Sequence, residues 1–343
     1  MANARNTDFT LVDYTEEINL YPKVWSLISG MNMFENHPIT GDICQIEFVQ
    51  ETLADIEARK RGGERNFIGS ENAITKNLNT AFYPLDRGLK PADYLNFREY
   101  GTGNTNKSLL NSIDRIMRRI RSSHAQKREK AMAAAIQGIG LDGQAPGIDY
   151  NYYTEFGKTQ SLAPVDFTDL TTNPADTIEK LGRRVIIRAA QDGTDSHAAY
   201  RIATICGEDW FSAFIGHPEV EEAYKYFADS EQNLLRKRLG MNSEDDSVRV
   251  FKYKGVTYIE DLSGNFAADE AFILPMDFPE MFRQYISPSD DLPDVAGEGG
   301  SSQELYLWYK ENKFDRQYKI ESECSFLCVN TRPELCVKSV ATI

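Results

Sequence analysis

Between residues 105 and 139 the apolar positions Leu109, Leu110, Ile113, Ile116, Met117, Ile120, Met132, Ala135, Ile136 and Ile139 recur at three-to-four spacing. That period predicts one long amphipathic helix over Ser108–Ile139, its pattern interrupted only around Ser122 to Lys130. Thr105 or Ser108 can cap its start and Gly138 or Gly140 its end. At about 1.5 Å of rise per residue the helix would run to roughly 50 Å, long for a globular domain. Upstream the period changes to two. Asp42 to Leu53 puts Ile46 and Phe48 on one face and Glu47 on the other, and Ala73 to Tyr83 alternates in the same way. Charged Glu57 to Arg65, with Gly62 and Gly63, lies between them, which predicts a long β-hairpin with a glycine tip. Its sides are too polar for a private core, so it projects from the body, packs on a neighbour, or stands as a solvated flap. The first forty residues scatter Phe9, Leu11, Tyr14, Leu20, Trp25, Ile28, Met33 and Phe34 among polar spacers around a short helical candidate at Val24 to Met31. They form an arm that needs something to lie against.

Beyond the long helix, Ile148 to Phe156 alternates as a strand would, and Asp166 to Pro174 is a turn-rich linker, so a second body begins near Asn173. In it the pattern predicts a helix over Asp176 to Leu181, a short buried strand at Val185 to Ile187 and a helix over Pro218 to Arg238. A compact hairpin follows over Val248 to Asp261, turning at Lys254 and Gly255. Ser287 to Ser302 is a Pro-, Gly-, Ser- and Asp-rich loop, and the chain closes with strands Tyr318 to Phe326 and Cys328 to Val340, broken at Arg332 and Pro333. The fold class is mixed, α+β.

The chain has 343 residues and 38.9 kDa, which fits one large domain with insertions or two to three modules. A hydrophobic share of 41% excludes wholesale disorder. With 38 basic against 52 acidic residues the formal charge is −14, which argues against a sequence-independent nucleic-acid binder. The charge is unevenly spread. Asp114 to Lys130 holds seven Lys or Arg and two acids, whereas Glu260 to Glu304 holds eleven acids and the single base Arg283. The basic stretch is either a surface for an acidic partner or a solvated helix face. Met1 to Thr10 lacks the pattern of a secretory signal, and no apolar run reaches membrane-spanning length, so neither export nor insertion is expected. Cys44, Cys206, Cys324, Cys328 and Cys336 are odd in number, which suits a reducing compartment and a role as small apolar side chains.

The nearest thing to a catalytic motif is Gly101 to Ser108, which fits G-x-x-x-x-G-K-[ST] except that Asn106 replaces the second glycine. That glycine is what lets backbone amides close on phosphates. The preceding Tyr94 to Tyr100 is not an aliphatic strand, and no later apolar strand ends in an Asp to hold magnesium. A nucleotide-dependent enzyme using Lys107 and Ser108 therefore stays an alternative on one imperfect loop. His37, His124, His197 and His217 show no metal-ligand spacing, Cys324, Cys328 and Cys336 form no C-x-x-C, and Cys206 near His217 has no third orienting group. No catalytic, cofactor or metal residue is assigned.

Four stretches of the second half, in this order and spacing, resemble the lambda-type phage major capsid protein E family. They are Ala203 to Tyr224 (ATICGEDWFSAFIGHPEVEEAY), Val250 to Gly264 (VFKYKGVTYIEDLSG), Phe272 to Asp290 (FILPMDFPEMFRQYISPSD) and Glu321 to Val337 (ESECSFLCVNTRPELCV). Cys206, Trp210, Phe211, His217, Pro218 and Val220 match the family's helix-and-turn pattern, and Tyr253, Gly255, Val256 and Tyr258 its hairpin. Phe282, Tyr285, Pro288 and Asp290 match an aromatic-proline segment, and Arg332, Pro333 and Leu335 the closing strand. The first half matches by layout alone, with HPITG, RGGER in the hairpin, and the basic helix. The resemblance implies a Hong Kong 97 type capsid fold. Residues 1–40 would be the N-terminal arm, 41–99 the extended loop, 100–172 a peripheral domain with its spine helix at 108–139, and 173–343 an axial domain whose late strands return to the periphery. It further implies a non-enzymatic head protein of a tailed phage. Such a protein assembles with itself into hexamers and pentamers, with scaffolding, portal and decoration proteins as possible partners. It encloses double-stranded DNA without sequence-specific binding, touches no membrane, and resides in the virion after assembly in the host cytoplasm. Contacts between subunits are expected at the hairpin tip, Arg61, Gly62, Gly63, Glu64 and Arg65. The acidic, glycine-rich Asp290 to Gly300 departs from the family's run. The alternative within phage structure is a tail or other ring- or tube-forming protein.

Overall fold

The computed structural model describes residues 26–50, 72–90, 109–141, 149–191, 201–226, 229–239, 248–290, 303–312 and 317–343. In chain order these form helix α1 (Leu27–Gly30), strands β1 (Glu35–Pro38), β2 (Ile43–Gln50), β3 (Asn72–Asn79), β4 (Ala81–Pro84) and β5 (Arg87–Leu89), and the 28-residue helix α2 (Leu109–Ile136). Next come β6 (Ile139–Leu141), β7 (Asp149–Asn151), α3 (Tyr152–Glu155), β8 (Val165–Asp166), α4 (Pro174–Thr177), a π-helical stretch Ile178–Arg183, and α5 (Arg184–Gln191). The remainder holds β9 (Ile202–Cys206), α6 (Glu208–Gly216), α7 (Pro218–Lys225), α8 (Asp229–Arg238), β10 (Val250–Tyr253), β11 (Val256–Glu260), β12 (Glu270–Pro275), β13 (Phe282–Ile286), β14 (Tyr306–Asn312), β15 (Gln317–Asn330) and β16 (Val337–Thr342).

Two six-stranded sheets carry this α+β fold. The first is organised around β15. Phe326 pairs with Ile286 of β13 and with Ala81 of β4, and Glu323 pairs with Tyr306 of β14 and with Pro84 of β4. A residue has one partner per edge, so β13 and β14 lie end to end along one edge of β15, while β4 and β5 line the other. The first sheet therefore joins chain segments more than 200 residues apart. The second sheet has the order β10-β11-β9-β12-β16-β8. Its central strands β9 and β12 are buried on both faces, which is why β9 reads as the nearly unbroken apolar run Ile-Ala-Thr-Ile-Cys. Ala203, Ile205, Ile259, Phe272 and Leu274 face the core shared with the first sheet. Their neighbours Ile202, Cys206, Tyr258, Ala271 and Ile273 face a layer containing Trp210, Phe211 and Phe214 of α6.

Helix α2 lies on β15. Its first half packs through Ile113 and Ile120 onto Leu89 and Ile320, and its second half enters the main core through Ala131, Met132, Ala133, Ala135 and Ile136. The small alanines allow close approach on two sides. The helix is continuous through Ser122 to Lys130, where the apolar spacing lapses, because the polar residues there face solvent or meet buried partners. Gly138 ends the helix at φ +84°, a conformation that costs glycine nothing, and a Cβ there would strike the Tyr153 ring.

Four local expectations are corrected. Val185 to Ile187 is helical, in α5, because Asn173 caps a helix opened by Pro174 and continued through the π-helical stretch, which buries Ile178 and Ile186 on one side. Ile148 to Phe156 is β7 followed by a turn of helix, since the Asn151 side chain accepts from the Tyr153 and Thr154 amides. Pro218 to Arg238 divides into α7 and α8. The closing strand runs unbroken through Phe326 and Cys328, and the break falls at the short 3-10 turn Pro333–Leu335. The hairpin at Lys254 and Gly255 is as expected, with both residues at positive φ as a type I′ turn demands.

Phe214 is fully buried against Trp210 and Tyr258, with ring centroids at 5.3 and 4.3 Å. Phe214→Ala should lower the unfolding free energy by about 3–5 kcal/mol, read from denaturant midpoints at unchanged slope.

Candidate functional site

The described structure has three polar junctions that fix its long helix and hairpin relative to the sheets. The first is Glu129 of α2. Its Oε1 accepts from the Ile28 amide at 2.6 Å, and its Oε2 accepts from the Ser29 amide at 3.1 Å and the Ser29 hydroxyl at 2.7 Å. These are first-turn donors of α1, and Ser26 makes no capping bond of its own. A carboxylate from a residue 101 positions away thus caps α1. Burial pushes the Glu129 carboxyl pKa upward, its hydrogen bonds restrain the rise, and the charge of buried Asp261 adds to it.

The second junction is His124, one turn beyond Ile120. Its Nδ1 stands 3.0 Å from the Cys324 sulfur and its Nε2 stands 2.9 Å from the Ser322 hydroxyl. The Ser322 hydroxyl donates to the Leu85 carbonyl. Burial raises the Cys324 thiol to about 11, so the thiol keeps its proton and donates to Nδ1. Nε2 then carries the imidazole proton and donates to Ser322. Burial first, and the Arg128 charge second, hold the His124 pKa below its usual value. A cysteine beside a histidine invites comparison with a catalytic dyad. A dyad needs thiolate and imidazolium, and both shifts here oppose that ion pair.

The third junction roots the hairpin. Thr80 donates to the Asp42 carbonyl at 3.0 Å and lies 2.7 Å from Ser287, whose hydroxyl reaches the Gly41 carbonyl at 2.7 Å. Strands β2 and β3 pair antiparallel from Ile43 with Asn79 to Gln50 with Asn72. At their base Cys44, Ile46 and Leu78 are buried in the main core, while Gln45 and Glu47 are exposed.

The tip residues selected from the sequence, Arg61, Gly62, Gly63, Glu64 and Arg65, lie between these strands and outside the described residues. So do residues 1–25 of the arm, Gly101 to Ser108 with Lys107, His197, and 291–300 of the acidic loop. All five cysteines are unpaired and buried, as expected of small apolar side chains. Burial raises Cys44 to about 11 and Cys336 to about 12, and lifts Cys206 and Cys328 as well. His217 caps α7 through its Nδ1, and its Nε2 stands 3.1 Å from the Asp169 carbonyl, so it is not joined to Cys206. Among the described residues no three His, Cys, Asp or Glu side chains gather as a metal site would require, and no helix is long and apolar enough to cross a membrane. Sequence reasoning passed over His124 and Glu129. His124 left a trace, a polar residue on the apolar face of α2. Glu129 left none, because its partner α1 covers the opposite face.

A long helix laid across a sheet built on one long strand, a rooted hairpin, and a second sheet under its own helix layer constitute the Hong Kong 97 type capsid fold. The mature capsid protein of bacteriophage PhiM1 shares it at a TM-score of 0.54 and 12% identity, over 90% of this chain and 85% of that one. The capsid protein of Ralstonia phage GP4 does so at 0.53 and 10%, over 100% and 98%. The model of the family described as phage major capsid protein E matches residues 10–341, and the chain belongs to that family of tailed-phage shell proteins. The major capsid protein of Pseudomonas phage KPP10 is 27% identical over 97% of each chain.

Two predictions test the junctions. Glu129→Ala should speed amide hydrogen exchange at Ile28 and Ser29 and leave α6 amides protected. The histidine has a lowered folded pKa, so its contribution is complete above the unfolded value of 6.5 and is lost as pH falls through the folded value. Stability measured by denaturation should therefore drop on acidification below about 6.5, and His124→Gln should remove that part of the slope.

Proposed function

We propose that copies of this chain close into the hexamers and pentamers of an icosahedral tailed-phage head that encloses double-stranded DNA. The family match over residues 10–341 is the observation that carries this reading, and it leaves no reason to prefer a tail tube or a nucleotide-dependent enzyme. In this reading residues 1–40 are the arm, 41–99 the extended loop, 100–172 the peripheral domain and 173–343 the axial domain with strands returning to the periphery. The burial pattern supports it. Among the described residues the hairpin buries Cys44, Ile46 and Leu78 at its root, and Leu162, Leu170 and Ile343 expose 59%, 60% and 65% of their surface, apolar area that suits contacts between copies. A shell needs contacts that are individually weak and collectively strong, because weak contacts can dissociate and correct errors during growth. Closed symmetry then limits the particle. Scaffolding, portal and decoration proteins are the expected further partners, assembly takes place in the host cytoplasm, and the product is the virion. Replacing Arg61, Glu64 and Arg65 at the hairpin tip by alanine should abolish polyhedral particles in negative-stain micrographs and leave the monomer's denaturation midpoint unchanged. Equal loss of soluble fold would refute the tip's role.

A further inference from the structure

The basic stretch of α2 is sorted by the fold into charges that are used and charges that are left over. Lys127 lies over the Tyr83 ring at 4.8 Å, and Arg128 Nη1 donates to Glu304 at 2.6 Å. Glu129 is buried under α1, and Asp114 is the remaining acid of the stretch. Arg118, Arg119, Arg121 and Lys130 are exposed and make no ion pair among the described residues. A solvated helix face normally alternates signs, because like charges three or four residues apart destabilise it. Here Arg118 and Arg121 are three apart, and no acid stands between Arg115 and Arg128. In a chain of net charge −14, Arg118, Arg119 and Arg121 form a local cationic patch on one turn of the helix.

We propose that the exposed turn of α2 marked by Arg118, Arg119 and Arg121 binds the phosphate backbone of double-stranded DNA without regard to sequence. At about 100° per residue these three lie on the side of the helix turned away from Ile113 and Ile120, whereas Lys130 stands about 180° around the axis from Arg121 and belongs to a different face. The cluster is all arginine, whose planar fork matches phosphate oxygens. The proposal rests on the reading that the shell encloses DNA, and it revises the expectation from net charge alone, since a patch acts at shorter range than the whole molecule.

The test measures binding of the purified full-length chain to a short duplex of arbitrary sequence as salt is varied, with polyglutamate as a second probe. Contact with about three phosphates predicts a loss of affinity of about fortyfold between about 50 and 200 mM salt. The variant Arg118→Ala/Arg119→Ala/Arg121→Ala keeps good helix formers at exposed positions. It should bind about tenfold or more weakly with a flattened salt dependence, and it should still form particles. Absence of duplex binding by the wild type, an unchanged salt slope in the variant, or polyglutamate binding as tight as the duplex would each overturn the proposal, the last by assigning the face to an acidic protein. Loss of particles with intact duplex binding would also overturn it. Should the wild type fail to form particles even when co-expressed with the other head proteins of its phage, the capsid reading falls, while the binding data still decide the role of this face.

Discussion

A 28-residue helix has more surface than one sheet can cover, and α2 is stabilised by being packed from two sides at once. Beneath it β15 supplies Ile320 and the Ser322–His124–Cys324 contact. Above its second half α1 is capped by Glu129, and the alanines at 131, 133 and 135 let both neighbours approach. In folded proteins most helical stability comes from the packing of apolar faces rather than from propensity, and here that packing holds α2 along its length. Since β15 also carries β13, β14, β4 and β5, the registry of α2 on that strand sets the geometry of the whole first sheet.

The buried polar groups that achieve this are kept neutral or fully bonded. Buried groups left unsatisfied cost far more than a satisfied pair gains, so such junctions specify one arrangement rather than add much stability. The Cys324–His124 contact illustrates how misleading proximity is without protonation. At 3.0 Å the pair has the distance of a nucleophile and its base, yet desolvation drives the thiol up and the imidazole down, which leaves an ordinary neutral hydrogen bond.

Cohesion and surface chemistry are divided between different residues of the same elements. On α2 the apolar and neutral polar residues hold the fold, while the exposed arginines contribute little to it. The hairpin repeats the division, with Cys44, Ile46 and Leu78 buried at its root and polar neighbours outward. A shell subunit needs this separation, because its contacts with other molecules must form and break without unfolding the subunit.

The periods of the sequence determined the long helix, the β2/β3 hairpin and the Lys254–Gly255 turn, because each is a local pattern of burial or of permitted backbone angles. The ordered stretches of the second half also determined the family. Tertiary structure decided what those patterns could not contain. Val185 to Ile187 is helical because a cap at Asn173 and the burial of Ile178 and Ile186 outweigh the β-branched residues. Glu129 and His124 acquire their partners from residues 101 and 200 positions away, through contacts that leave no spacing in the chain. The same is true of the basic face. The sequence counts seven cations and two acids there, and only packing, by burying Glu129 and engaging Arg115, Lys127 and Arg128, settles which charges remain for a partner.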